Sequence, residues 1–203
     1  MEVLVVPGKW GDLVEWNQGI PFSAASALRL IPGSSVVEFP MLTLRPATPE
    51  DTELILAFIR ELALYERAPE MAVARPEDIQ KHLFGEHPLA FAVMAQWEGA
   101  PAGMALWFYN FSTWEGKPSL YLEDLFVRPE YRGKGIGKAL LQHLAKVALD
   151  KGCTRYVWQV LDWNTPSLDF YQAMGASVLK EWLTCRVEGE ALRRLAGEAE
   201  GAP

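Results

Sequence analysis

The sequence predicts an α/β fold in which a mixed sheet is flanked by helices. Three observations carry that prediction. From Leu42 onward, short strand-like runs and amphipathic helical patterns follow one another in the order β-α-α-β-β-β-α-β-α-β. Residues 89–111 read as a hairpin of two apolar runs joined at Glu98-Gly99-Ala100-Pro101. The stretch Tyr131-Arg132-Gly133-Lys134-Gly135-Ile136-Gly137-Lys138 stands between an apolar run ending at Val127 and a helical pattern from Ile136 to about Leu149. That order is strand, glycine-rich turn, helix.

In chain order, residues 1–40 do not match the rest. Met1–Val6 has the pattern of a short strand, ended by Pro7 and Gly8, and Asn17–Phe39 lacks periodicity. The apolar start is too short for a signal peptide and lacks a basic flank. Met41 is the expected start of the domain, with residues 1–40 an upstream-start or appended extension; an accessory arm packing on the domain or on a partner is the alternative. Leu42–Arg45 alternates as a strand. Pro49-Glu50-Asp51 opens a helix with Thr48 as N-cap, and Leu54, Ile55, Phe58, Ile59 and Leu62 form its apolar face. Pro76–Phe84 is a second helix, with Pro in its first turn followed by acids. Strands follow at Leu89–Trp97, Ala102–Phe111 and, after a loop at Ser112–Pro118, Ser119–Val127. Gly152 ends the helix after the glycine-rich turn. A strand at Arg155–Leu161, a helix at Pro166–Met174 and a last strand at Val178–Val187 complete the domain at about residue 197. Residues 190–196 form a short terminal helix, and 198–203 are a tail.

Composition bounds the function. At 203 residues one domain with a sizeable core is expected. Half the residues are hydrophobic and 22% are charged, as in soluble globular proteins. No apolar run has membrane-spanning length, so no membrane partner is expected. The formal charge of −7 argues against nonspecific nucleic-acid binding and suits a cationic substrate. His82, His87 and His143 lack metal-ligand spacing, and no metal is expected. Cys153 and Cys185 fall in or beside predicted strands and read as buried free thiols of a reducing, cytoplasmic compartment.

The glycine-rich turn gathers free backbone N–H groups and the positive end of a helix dipole at one point. Gly133, Gly135 and Gly137 allow close approach of an anion, and Arg132 and Lys134 add positive charge. The physical reading is a phosphate or diphosphate cradle. It is not a P-loop, because Arg132 stands where the first glycine should be and Ala139 where the hydroxyl should be. It is not a dinucleotide fingerprint either, because Lys138 or Leu140 occupies the last glycine position. What fits is Arg-x-x-Gly-x-Gly: Arg132, Gly135 and Gly137.

With its preceding strand, Val127-Arg128-Pro129-Glu130-Tyr131, this turn resembles the acetyl-CoA pyrophosphate loop of the GCN5-related N-acetyltransferase (GNAT) superfamily. Tyr121–Asp124, Val147–Cys153, Val160–Asn164 and Phe170–Ala176 extend the likeness to the diamine acetyltransferase branch, and within it to the thialysine N-ε-acetyltransferases. Arg45–Ala47, Glu61–Glu66, Phe84–Pro88 and Thr113–Gly116 add to it, so that it runs from about Leu42 to Leu195. The resemblance implies a mostly antiparallel mixed sheet, acetyl-CoA as co-substrate, a small amine as acceptor, and a homodimer.

It also implies site residues. Arg132, Gly133, Lys134, Gly135, Ile136, Gly137 and Lys138 would cradle the pyrophosphate. The backbone of Leu125, Phe126 and Val127 would pair with pantetheine like an added strand, and one of these N–H groups would polarise the thioester carbonyl. Asn164, Pro166 and Ser167 would meet the CoA arm. A primary ammonium is mostly protonated at neutral pH, so a proton acceptor is needed. Glu123, a carboxylate in an apolar run where burial would raise its pKa, is the implied base, through water. Asp124, on the other side of the strand by alternation, is its rival or an ammonium ligand. Tyr171 is the implied acid for the departing thiolate; a core aromatic is its alternative, with Phe170 nearby. Tyr65 and Glu66 match an amine-contacting position, and Trp114 would form a wall of the site. Ser112 stands where polyamine enzymes carry Asp, which shifts the expected substrate toward a lysine-like amino acid or small amine. Protein lysine or N-terminal acetylation, and a noncatalytic acyl-CoA-binding regulator, are the alternatives.

Overall fold

The computed structural model describes residues 41–198, which form two compact units, 41–159 and 160–198. The expected strand at residues 1–6 and the rest of the leader lie outside the described residues, as does the tail beyond residue 198.

The first unit is built on one five-stranded sheet in sequential order: β1 (Leu42–Pro46), β2 (Phe91–Trp97), β3 (Ala100–Ser112), β4 (Lys117–Val127) and β5 (Arg155–Trp158). β1 to β4 pair antiparallel, and β4 and β5 pair parallel. The sheet is therefore mixed and mostly antiparallel, as the family resemblance implies. Three helices accompany it: α1 (Thr52–Tyr65), α2 (Pro76–Phe84) and α3 (Ile136–Asp150).

Local chemistry explains where these elements begin. Asp51 accepts the Thr48 backbone N–H at 2.8 Å and two Arg45 guanidinium donors at 2.6 and 2.7 Å. This cap closes a 3-10 turn at Pro49–Asp51, and α1 starts one residue later, at Thr52. Glu98 and Gly99 both have positive φ, 51° and 83°, so β2 and β3 are joined by a two-residue turn. Both positive φ values match the handedness of a twisted hairpin. This turn is tighter than expected, and β3 starts at Ala100 instead of Ala102. Pro101 is accommodated because the register shifts beside it, at Ala95/Gln96.

Alternation along the strands buries both faces. Ala92, Met94, Met104, Leu106 and Phe126 pack with Ile55, Leu56 and Phe58 of α1 and Ile79 of α2. Val93, Ala95 and Ala105, on the opposite face by alternation, are buried too, and α3 contacts β2, β3, β4 and β5. Ile136, Leu140 and Leu144 form the buried stripe of α3.

The second unit contains α4 (Thr165–Ala173) and α5 (Gly189–Leu195). The strand expected at Val178–Val187 is absent; the segment is irregular, and Leu179, Trp182 and Leu183 are exposed. The segment carries apolar residues at Val178, Leu179, Trp182, Leu183 and Val187, but an extended segment without a ladder leaves its backbone donors to water. The strand expected to reach Leu161 also stops early, at Trp158. Cys185, expected to be buried, is exposed in this irregular segment, whereas Cys153 is buried as expected.

Candidate active site

The centre of the site is the C-terminal half of β4. Its pairing with β3 slips between Leu106 and Trp107: Leu106 faces Asp124, Trp107 faces Leu122, and Glu123 is the extra residue. Such a bulge bends a strand and increases its twist. The parallel ladder with β5 ends at the same place, at Leu122/Trp158. Leu125, Phe126 and Val127 therefore pair with β3 on one side and extend beyond β5 on the other. An edge of this kind offers backbone N–H and C=O groups to an extended amide-bearing chain.

The bulge redistributes the carboxylates. Glu123, which the sequence places in a burying run, is exposed; Leu122 before it is buried and Asp124 after it is half-buried. Asp124 is the perturbed group. Burial, then the neighbouring Glu123 and Glu66 carboxylates, push its pKa up to about 6. Glu66 caps the C-terminus of α1, its N–H donating to the Leu62 carbonyl at 2.9 Å. The residue is exposed at its surface, yet desolvation by the surrounding protein pushes its carboxyl upward as well. Glu66, at the C-cap of α1, and Glu123 on β4 thus both act on Asp124 near the point where β4 leaves β5.

Beyond Val127 the chain makes a 3-10 turn at Pro129–Tyr131 and enters the cradle. Gly133 and Gly135 have φ of 75° and 80°, conformations that favour glycine, while Gly137 lies inside α3. Gly135 is the N-cap of α3, and no side chain caps its first-turn N–H groups. Ile136 is buried under the turn and anchors it, whereas Lys134 and Lys138 are exposed. The Lys134 ammonium stands 4.9 Å from the Trp97 ring centre and 5.2 Å from that of Tyr131. Arg132 donates from Nε to the Val127 carbonyl at 3.0 Å, and its guanidinium lies 4.9 Å from the Tyr65 ring centre. It has no carboxylate partner among the described residues. Uncapped helix N–H groups, an open strand edge and an unneutralised arginine fit the diphosphate and pantetheine arm of a CoA thioester.

Trp114 is not part of this cluster within one chain. It is 87% exposed in the β3–β4 turn. Lys117 and Asp124 are seven strand residues apart, about 23 Å at roughly 3.3 Å per residue. Ser112 is buried and serves the turn: its hydroxyl accepts the Glu115 N–H at 3.3 Å and its carbonyl the Gly116 N–H at 2.8 Å. Among the described residues no group of His, Cys, Asp and Glu could hold a metal ion.

In the second unit, Asn164 is buried and caps α4, its side-chain oxygen accepting the Ser167 N–H at 3.4 Å. Pro166 occupies the first turn of that helix. Tyr171 is half-buried on α4, with its ring centre 5.4 Å from that of Phe170.

Two residues that sequence reading left without a role stand close to this machinery. Arg128 grips Glu61 through Nε at 3.2 and 3.0 Å and through its terminal nitrogen at 2.7 Å, and it covers the Phe58 ring at 4.8 Å. The available signal was the spacing: Glu61 and Tyr65 are four apart, as are Arg128 and Arg132.

A model of the acetyltransferase (GNAT) family matches residues 56–176. The thialysine N-epsilon-acetyltransferase of Bos taurus is 42% identical over 166 residues, covering 76% of this chain and 97% of that protein. An L-ornithine N5-acetyltransferase of Arabidopsis thaliana is 30% identical, covering 86% and 97%. Among solved structures, an integron cassette protein from the mobile metagenome of V. cholerae superposes with a TM-score of 0.66 at 28% identity, covering 78% of this chain and 99% of that one. An aminoglycoside acetyltransferase from an uncultured soil metagenomic sample superposes with a TM-score of 0.62 at 19% identity, covering 73% and 96%, a likeness of fold alone.

Proposed function

The chain belongs to the acetyltransferase (GNAT) family and is an N-acetyltransferase, and from that premise we propose that it acetylates the side-chain amine of a small, lysine-like cation. The family uses acetyl-CoA as co-substrate. The observation that carries the acceptor class is the action of Glu66 and Glu123 on Asp124 near the open edge of β4, where a compact ammonium finds carboxylates close to the thioester arm. The names of the two relatives point the same way, since thialysine and L-ornithine both carry a side-chain amine. A diamine or polyamine belongs to the same chemical class; the missing acid at Ser112 favours the shorter molecule.

In this reading Arg132 and the N–H groups of Gly133 to Lys138 hold the diphosphate, and Asn164, Pro166 and Ser167 meet the CoA arm. The Leu125–Val127 backbone takes pantetheine and polarises the acetyl carbonyl. Glu66 and Asp124 receive the ammonium. The amine loses a proton through water to Glu123 and attacks the acetyl carbon, so that a C–N bond forms and the C–S bond breaks. Tyr171 gives its proton to the departing thiolate, a transfer between groups of comparable basicity, and regains one as the acetylated nitrogen sheds its second proton. The reading includes a cytoplasmic homodimer, with the exposed aromatics Phe111 and Trp114 as candidates for its contacts. Among the described residues no helix is long and apolar enough to cross a membrane.

The test is steady-state release of CoA from acetyl-CoA against thialysine, lysine, ornithine, putrescine, spermidine and short lysine peptides. Thialysine or lysine is expected to give the highest kcat/KM, by at least tenfold over spermidine. Turnover of peptides alone would move the protein to protein acetylation. Tight acetyl-CoA binding with no turnover of any amine would make it a regulator.

A further inference from the structure

Two rungs join the end of α1 to the segment that carries the cradle. Glu61 and Tyr65 are one turn apart on α1 and share a face. Arg128 and Arg132 flank the 3-10 turn at Pro129–Tyr131. The first rung is the Arg128–Glu61 ion pair, its closest contact 2.7 Å. The second is Arg132 over Tyr65, 4.9 Å from the ring centre, with the Arg132 Nε tied to the Val127 carbonyl at 3.0 Å.

We propose that Tyr65 is a positioning residue of the cofactor side: its ring holds the Arg132 guanidinium in place for the diphosphate of acetyl-CoA, and the Arg128–Glu61 pair sets the ring against it. This inference rests on the proposed role of Arg132. A guanidinium lying over an aromatic ring uses its face there, while recognition of a phosphate uses its in-plane N–H donors, so the two contacts do not compete. An arginine side chain has large rotamer freedom, and a side chain already held in its bound conformation loses less of it on binding. The ring therefore acts on cofactor affinity, and it does so without touching the amine.

The discriminating measurement compares two donors, acetyl-CoA and S-acetylpantetheine, which lacks the diphosphate. With acetyl-CoA, Tyr65→Leu is expected to raise the donor KM about three- to tenfold while the amine KM stays put, and Tyr65→Phe to restore the wild-type value. With S-acetylpantetheine the wild-type-to-Y65L ratio of kcat/KM is expected to fall to near one. Added to Arg132→Ala, Y65L should produce no further loss. Tyr65 is the last residue of α1, and Tyr65→Gln, a second helix-compatible replacement, carries the same expectation should the leucine variant melt early. An amine KM raised equally with both donors would assign Tyr65 to the amine and overturn the proposal. Failure of the underlying reading looks different: Arg132→Ala would leave the acetyl-CoA KM unchanged whatever stands at position 65, and the proposal would fall with it.

Discussion

A carboxyl with a pKa of about 6 is half-charged where an ordinary aspartate is fully charged, and that makes Asp124 the residue to titrate. Its ionised form is the one that holds an ammonium or accepts a proton. The kcat/KM for the amine is therefore expected to fall about tenfold per pH unit below about pH 6. Asp124→Asn should lower the rate and remove that limb, while Glu123→Gln should lower the rate and keep it. The reverse pattern would name Glu123 as the titrating group. Stability supplies an independent check. The folded pKa lies above the unfolded one, so between roughly pH 4 and 6 the folded chain binds more protons, and stability falls as pH rises through that window. D124N should then stabilise the protein above pH 6, on the order of 1–2 kcal/mol after allowance for residual solvent access, and the gain should shrink on acidification. The pair Glu123-Asp124 was legible in the sequence as two adjacent carboxylates on the strand before the glycine-rich turn; which of them is buried was not. Strict alternation counts residues along one strand, and the extra residue at Glu123 is defined only by the pairing with Leu106 and Trp107 on β3.

The same division separates elements that local chemistry specifies from those that need a partner. α1 and α2 were legible because their caps lie in the sequence: Thr48 to Asp51, and Pro76 with two acids behind it. Asp51 is the stronger device, since it closes the cap and takes both terminal nitrogens of Arg45, whose hydrogen bonds hold its carboxyl below the usual range. Asp51→Ala should cost about 2 kcal/mol, read as a lower urea midpoint at neutral pH. Because the folded pKa is depressed, this contribution is fully present above the ordinary carboxylate range and is lost as pH falls through the lower folded value. The wild-type and D51A midpoints should therefore converge in acid; coincident curves would mean that the pair contributes nothing, and parallel offset curves that the loss does not come from the ionised carboxylate. Val178–Val187 shows the other case. Its apolar and β-branched residues suit a strand, but a strand forms through a ladder, and the ladder partner is not encoded in the segment itself. The early end of β5 has the same origin, because its length is set by where β4 bends away.

Across the whole chain, the proposed reading of the site makes distance along β4 bear on which amines it would serve. The acids and the cradle lie at one end of the strand, and Trp114 lies beyond the other, on the order of 20 Å or more away. A lysine-like amino acid bound at Glu66 and Asp124 is too short to reach Trp114 of the same chain, whereas an extended polyamine covers much more of that length. The position of Ser112 fits this division, because its hydroxyl and carbonyl hold the turn on which Trp114 is displayed. Trp114→Ala should accordingly leave kcat/KM for thialysine or lysine within about twofold of wild type, and Ser112→Ala should loosen the turn with the same small effect on rate. Loss of tenfold or more in lysine acetylation by W114A, with the fold intact by circular dichroism, would mean that the indole reaches an amine site after all. In a monomeric chain it cannot do so, and the site would then be completed by the turn of a second copy. Measuring the W114A rate together with its sedimentation coefficient separates the two cases: an unchanged rate confines amine recognition to the acids of α1 and β4, and a lost rate with an altered mass assigns it to an interface.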